Sequence, residues 1–154
     1  MKSRVFEKFK RYLSIEISIE YKACLYFYCI MVFYCIYLAL HHTFFASVLY
    51  MCEMIFTAYV LGYLQVMLLK NFDEAENITR REFLSMLLCT TIYTGCSYLF
   101  CWFDRNPWAT GMFFLFILFS YWCVYLINKI KRNIDTNRLN EMLAAFKQEE
   151  TEKE

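Results

Sequence analysis

A single carboxylate, Glu53, stands inside the longest uncharged run of the chain, and it has the strongest claim to chemistry among the 154 residues. It lies nine residues into the run 44–69, roughly 13 Å along a helix axis from the start of that run at the usual rise. An ionised carboxylate in hydrocarbon is expensive, so it must face other protein and find a partner, or be protonated. Tyr50 at i−3 and Thr57 at i+4 share its helical face; Gln65 lies further along, on a different face. Two readings follow. Glu53, Tyr50 and Thr57 form an intramembrane polar site that responds to a proton or a cation, or Glu53 makes an interhelical hydrogen bond that fixes packing.

Other reactive side chains are numerous but badly spaced. The eight cysteines (24, 29, 35, 52, 89, 96, 101 and 123) lie in or beside uncharged runs, and none forms C-x-x-C. A membrane redox enzyme needs that pair, one thiolate attacking and the other resolving; buried singly, Cys behaves as a small hydrophobe. His41-His42 has no Cys, Asp or Glu within a few residues to complete a zinc site, and a pH-sensing role for the pair has no further support. Gly62, Gly95 and Gly111 are each isolated, so no glycine-rich phosphate loop forms, and there is neither G-x-S-x-G nor H-E-x-x-H. The expectation is a protein that is not an enzyme, with no cofactor and no metal.

The elements that must position Glu53 are set by composition. Apolar types make up 60% of the chain and aromatics 21%, with three Gly and one Pro. The charges are segregated: four blocks, 23–40, 44–69, 83–103 and 108–127, contain one formal charge between them, Glu53. Such a pattern excludes an ordinary soluble globule, a disordered chain, a collagen-like fibre and a disulfide-stapled secreted domain. Each block is close to the ~20 residues that cross a ~30 Å hydrocarbon layer as a helix. A transmembrane β-barrel would alternate apolar and polar residues, and 112–119 (MFFLFILF) does not. The long charged leader and the lack of a small-residue cleavage site after Leu40 argue against a signal peptide. The predicted fold is an all-α polytopic membrane protein, a bundle of four transmembrane helices within 23–127, with a leader 1–22 and an amphipathic helical tail 128–154.

Orientation follows from the cations. Fifteen of sixteen Lys and Arg fall in 1–22, 70–82 and 128–154; Arg105 alone falls in the other connections. By the positive-inside rule both termini and the 70–82 loop are cytoplasmic. The net charge of +1 carries no nucleic-acid footprint.

Local signals refine the picture. Phe6, Phe9, Leu13 and Ile17 suit an interfacial helix running into the first span, although Leu13, Ile15, Ile17 and Ile19 also alternate with polar residues in a strand rhythm. Thr79-Arg80-Arg81-Glu82 reads as a capping box that opens the third span, with Ile78 and Phe83 as a hydrophobic staple. The sequon Asn77-Ile78-Thr79 falls on the cytoplasmic side and is discounted. Asn106 caps the fourth span with Pro107 at its first position, and Trp102 and Trp108 flank that turn as an aromatic belt. In the tail, Ile127, Ile130 and Ile134 form one stripe, and Leu139, Leu143 and Phe146 a second, with Asp135 able to cap a separate segment. That second stripe, with Arg138, either lies on the membrane or receives a partner helix.

Three stretches carry a resemblance: Glu53-Met54-Ile55 through Gly62-Tyr63-Leu64-Gln65, Asn71-Phe72-Asp73-Glu74-Ala75-Glu76, and Asn128 through Asn140. They resemble a family of uncharacterised four-span bacterial inner-membrane proteins usually encoded next to LytTR-type transcriptional regulators. The first span departs from the glycine-rich version of that family, since it reads Ala23-Cys24-Leu25-Tyr26-Phe27-Tyr28. What the resemblance implies is a partner: a cytoplasmic LytTR-type regulator restrained or modulated at the bacterial cytoplasmic membrane. No active site comes with it. The competing expectation is a small proton- or cation-coupled transporter or channel using Glu53, since small multidrug exporters also have four spans and one embedded Glu. Their Gly/Ala-rich helices and weak charge bias are absent here, and the cytoplasmic weight of this chain favours the regulatory subunit. A homo-oligomer is compatible with either.

Overall fold

A computed structural model describes residues 2–43, 45–69, 71–75 and 77–151, with side chains described from residue 6 to residue 147 of those segments. All its regular structure is helical; no strand occurs among the described residues. Helix α1 spans Lys2–Leu40, α2 Val48–Met67, α3 Arg80–Leu99 and α4 Pro107–Thr151, with a single 3-10 turn, Phe72–Glu74, between α2 and α3.

The helix boundaries have local causes. The chain leaves α1 through His42 in the left-handed region (φ 56°), which lets the Thr43 N–H reach back to the Leu38 carbonyl at 3.0 Å. Thr79 is extended, and its N–H donates to Glu82 Oε2 at 3.1 Å, the reciprocal half of the expected capping box. Asn106 Oδ1 accepts from the Trp108 N–H at 3.0 Å, with Pro107 first in α4, also as expected. The turn before it is tight enough to put Cys101, Asp104 and Arg105 at positive φ.

Helices α1, α2 and α4 are long and apolar enough to cross a membrane. Helix α3 is not in that group. It opens on Arg80, Arg81 and Glu82 and carries a run of hydroxyls. Those hydroxyls are answered inside the helix: Ser85 donates to the Arg81 carbonyl, Thr90 to Met86, Thr91 to Leu87 and Thr94 to Thr90, all at 2.8–3.0 Å. A hydroxyl bonded to its own preceding turn exposes little unmet polarity, so α3 can sit among apolar neighbours despite its composition.

The core is a helical stripe from each element. Helix α1 contributes Ile19, Ala23, Tyr26, Ile30, Tyr34 and Tyr37, and α4 contributes Phe113, Ile117, Tyr121 and Tyr125 at every fourth position. Rings fill the space between them; Phe33 lies 5.3 Å from each of Phe103, Phe113 and Phe116. Against α2 the packing is closer. A Cβ added to Gly62 would stand 3.2 Å from the Ile19 carbonyl oxygen and 3.5 Å from the Ala23 nitrogen. The small residue therefore sets the backbone separation of α1 and α2, as it does between lipid-embedded helices.

Helix α1 runs unbroken through 13–19, as the helical reading of the leader expects, so the competing strand rhythm is not realised. One feature differs from the sequence expectation. The tail is not a separate helix: α4 continues through Asp135 to Thr151, since nothing in 128–138 (NKIKRNIDTNR) is Gly or Pro. At 39 and 45 residues, α1 and α4 run roughly 58 and 67 Å, against roughly 30 Å for α2 and α3. Side chains from Phe6 to Ser14 and from Asn133 to Lys147 are exposed, so the long helices leave the bundle as two arms at the end bearing the 68–79 connection.

Gly62→Val should lower stability in detergent by about 1–3 kcal/mol, because the atoms it meets are backbone and cannot rotate away. Gly95→Ala, whose Cβ would meet nothing within 4 Å, should be neutral or mildly stabilising in the same thermal-unfolding assay.

Candidate functional site

The most polar place in the bundle lies where the 68–79 connection folds back under α1 and α4. After α2 ends, Asn71 takes a left-handed conformation (φ 56°), its N–H bonded to the Gln65 carbonyl at 3.1 Å, and the chain turns through Phe72–Glu74. Phe72 inserts as an apolar plug, 1% exposed and 5.3 Å from the Tyr121 ring. The next residue, Asp73, is fully buried, and it meets Lys22 of α1, itself 2% exposed. Lys22 Nζ lies 2.6 Å from both carboxylate oxygens and 3.4 Å from Glu74 Oε1. The Tyr26 hydroxyl, one turn further along α1, donates to Asp73 Oδ2 at 3.3 Å.

Helix α4 closes the site from the other side. Asn128 Nδ2 donates to the Asp73 carbonyl at 3.1 Å. Arg132 spreads its guanidinium over the turn, one amino group on the Glu74 carbonyl and the other on the Ala75 carbonyl. The exit point of α4 is thus tied to backbone that Lys22 holds in place. Removing either charge would strand the other where water cannot reach it, which is far costlier than losing an exposed ion pair.

Deeper in the bundle the polar groups are less well served. Tyr26 packs on Tyr121 at 4.5 Å and faces Tyr93 at 6.4 Å. The Tyr93 and Tyr121 hydroxyls and both carboxamide atoms of Gln65 are buried without a hydrogen-bond partner. Unused hydrogen-bonding capacity is therefore concentrated beside the ion pair. Chemically the site can hold charge and fix backbone. Among the described residues no cluster of His, Cys, Asp and Glu suits a metal ion.

Glu53 occupies a second polar site at the opposite end. Its Oε2 accepts from Trp102 Nε1 at 3.1 Å, and Trp102, on the α3–α4 connection, is 1% exposed. Because α2 begins at Val48, Glu53 sits only about 7.5 Å along the axis from the helix start. Tyr50 packs edge-on against Tyr34 at 6.3 Å and Thr57 is buried in the helix interface, so the three residues share α2 while the carboxylate is held from another element. Trp102 is a buried donor and not the belt residue its position suggested, whereas Trp108 is 85% exposed. On α4, Arg138, Leu139, Leu143 and Phe146 are all exposed along the outer arm.

Sequence reasoning missed the Lys22–Asp73 pair. By sequence Lys22 belongs to the basic leader and Asp73 to the stretch 71–76 that carries part of the resemblance, and nothing local pairs them. The available signal was an aromatic residue, Phe72, directly before two acids in a short connection between apolar blocks.

No protein-family model, curated protein or solved structure matches the chain.

Lys22→Met should destabilise the protein by about 3–5 kcal/mol, with much of the loss recovered in Lys22→Met/Asp73→Asn, as measured by unfolding in detergent. Equal, additive losses would mean that the two charges do not depend on one another. At the other end, Trp102→Phe should cost about 1–3 kcal/mol by leaving Glu53 without its donor, while Glu53→Gln, which keeps an acceptor, should cost less.

Proposed function

We propose that the chain is an integral membrane regulatory protein whose four helices span the bacterial cytoplasmic membrane with both termini inside, and whose α4 arm restrains or modulates a cytoplasmic LytTR-type transcriptional regulator. Three helices already meet the length and apolarity needed to cross. The internal bonding of the α3 hydroxyls supports a place for that helix in the bundle as the fourth span. The distribution of cations orients the assembly.

The observation that carries the reading is the continuity of α4. Leu139, Leu143 and Phe146 are 51–65% exposed on a helix that runs without a break from the buried Tyr121 and Tyr125. Its base is clamped through Asn128 and Arg132 to the turn that Lys22 holds. A partner bound to such an arm is mechanically connected to the membrane domain, which is what a restraining subunit requires. Spaced i, i+4 and i+7, the three apolar residues suit a groove on a partner protein. The role involves no catalysis, no cofactor and no direct contact with nucleic acid.

The transporter reading depends on Glu53 being free to exchange a proton or cation. The hydrogen bond from buried Trp102 to its Oε2 supports a packing role for Glu53 and so favours the regulatory reading.

Sidedness is tested by reporter fusions: a fluorescent protein after Glu154 should fold and fluoresce, and alkaline phosphatase inserted at His42 should be active. The partner is tested first by whether the adjacent gene encodes a LytTR-type regulator, as this reading expects, and then by co-purification of that regulator. Leu139→Ser/Leu143→Ser/Phe146→Ser should leave thermal stability unchanged and cut co-purification of that regulator at least tenfold. Undiminished binding would contradict the assignment of the arm.

A further inference from the structure

Two adjoining concavities flank the point where α4 leaves the bundle, and they differ in charge. The larger, about 560 Å³, is lined by Tyr21, Glu74, Asn128, Lys131, Arg132 and Asp135 among others, so its two cations are balanced by two carboxylates. The smaller, about 360 Å³, is lined by Asn77, Lys129, Arg132, Asn133 and Thr136. Every polar lining group there is a cation, a carboxamide or a hydroxyl, and no carboxylate lines it among the described residues.

We propose that this smaller groove is a binding site for a phosphate-bearing anion, filled in the cell by the headgroup of an anionic phospholipid. The proposal rests on the membrane reading of the bundle but not on the identity of any protein partner.

The groove is built for that ligand. Lys129, Arg132, Asn133 and Thr136 are spaced i, i+3, i+4 and i+7, which puts all four on one face of α4, and Asn77 on the α2–α3 connection closes the opposite wall. Arg132 is pre-positioned, because two of its amino groups are already fixed on the Glu74 and Ala75 carbonyls. Three N–H donors of its guanidinium remain for an anion, and no ion pair with a carboxylate engages it among the described residues. Lys129 supplies a second charge and has no acidic partner among the described residues. Asn77, Asn133 and Thr136 supply neutral donors for the remaining phosphate oxygens.

Position argues for a lipid as the source. Lys129 follows the last residue of the uncharged run, Ile127, by two positions. Ile127, Ile130 and Ile134 are exposed along the neighbouring strip of α4, where acyl chains would lie. Basic pockets at this depth, on the cytoplasmic side between membrane helices, suit anionic headgroups. Occupation would brace the α4 exit from outside while the Lys22–Asp73 pair braces it from within.

The test uses the full chain, first shown to sediment with membranes, reconstituted in nanodiscs of phosphatidylcholine with 20% phosphatidylglycerol. Lipid retained after detergent transfer is counted by native mass spectrometry. Wild type should retain phosphatidylglycerol selectively over phosphatidylcholine. Lys129→Gln should retain roughly fivefold less, the worth of one basic residue at an anionic surface, and Thr136→Glu should abolish retention. Arg11→Gln removes the same charge from the exposed α1 arm, outside the groove, and should match wild type. Equal losses in Lys129→Gln and Arg11→Gln, or no loss in either, would overturn the site. In a parallel arm, inorganic phosphate is titrated into lipid-stripped protein in neutral detergent. A rise in Tm that Lys129→Gln abolishes, without selective lipid retention, would support the anion site and assign it to a soluble phosphate ester. Neither retention nor a rise in Tm would overturn it.

Discussion

A lysine and an aspartate, drawn out of water together, dictate much of what this molecule can do. Lys22 lies at the end of a long basic arm and Asp73 lies in a short polar connection, yet each is almost completely buried on the other. A buried pair is weak evidence for stability, since two apolar residues of the same size often do as well. What it supplies is specificity: the acid can be buried only where the base already is. The connection between α2 and α3 is therefore pulled beneath the bundle, Phe72 is set against Tyr121, and Asp73, Glu74 and Ala75 present their carbonyls to α4.

Around that point the other contacts fall into place by size and by polarity. Gly62 lets α2 approach α1 closely just one turn from Lys22, so the pair and the narrowest backbone contact reinforce one another. Away from it the packing passes to rings, with Phe33, Phe103 and Phe113 in mutual contact towards the far end. There a second polar contact, Trp102 with Glu53, ties the α3–α4 connection to α2. The bundle is thus fastened at both ends by polar contacts between a connection and a helix, the Tyr37 hydroxyl on Asp104 joining Trp102–Glu53 at the far end, with an aromatic interior between them. Such contacts matter more in lipid than burial of apolar area does, because lipid is as apolar as the core and gives helices no hydrophobic reason to associate.

Much of the architecture was legible in the sequence. Charge segregation marked four blocks, three of which correspond to helices apolar enough to cross, and the capping signals at Thr79–Glu82 and Asn106-Pro107 located two helix starts to the residue. Those signals are local, and local chemistry survives folding. The long-range polar pairs were not legible. Lys22 and Asp73 are 51 positions apart, and Glu53 and Trp102 are 49. Each residue has an innocent local explanation: a topogenic cation, a loop acid, an interfacial indole. Glu53 was recognisable as a residue in need of a partner, but only the fold could name it. The reach of α4 was also understated, because Asp135 reads as a cap when nothing beyond the local sequence is weighed, whereas a helix without Gly or Pro has little reason to stop there.

The proposed regulatory role rests on this fastening. An arm that carries exposed apolar residues is useful for regulation only if its base is fixed to something embedded, and Asn128 and Arg132 provide that connection. The central claim is that 71–75 is a docked structural element and not a surface loop. Hydrogen–deuterium exchange on the protein in nanodiscs tests it most directly. The Glu74 and Ala75 amides, bonded to the Asn71 and Phe72 carbonyls, should exchange on the slow timescale of the Tyr121 region of α4. Exchange within seconds, like an ordinary exposed turn, would contradict the account.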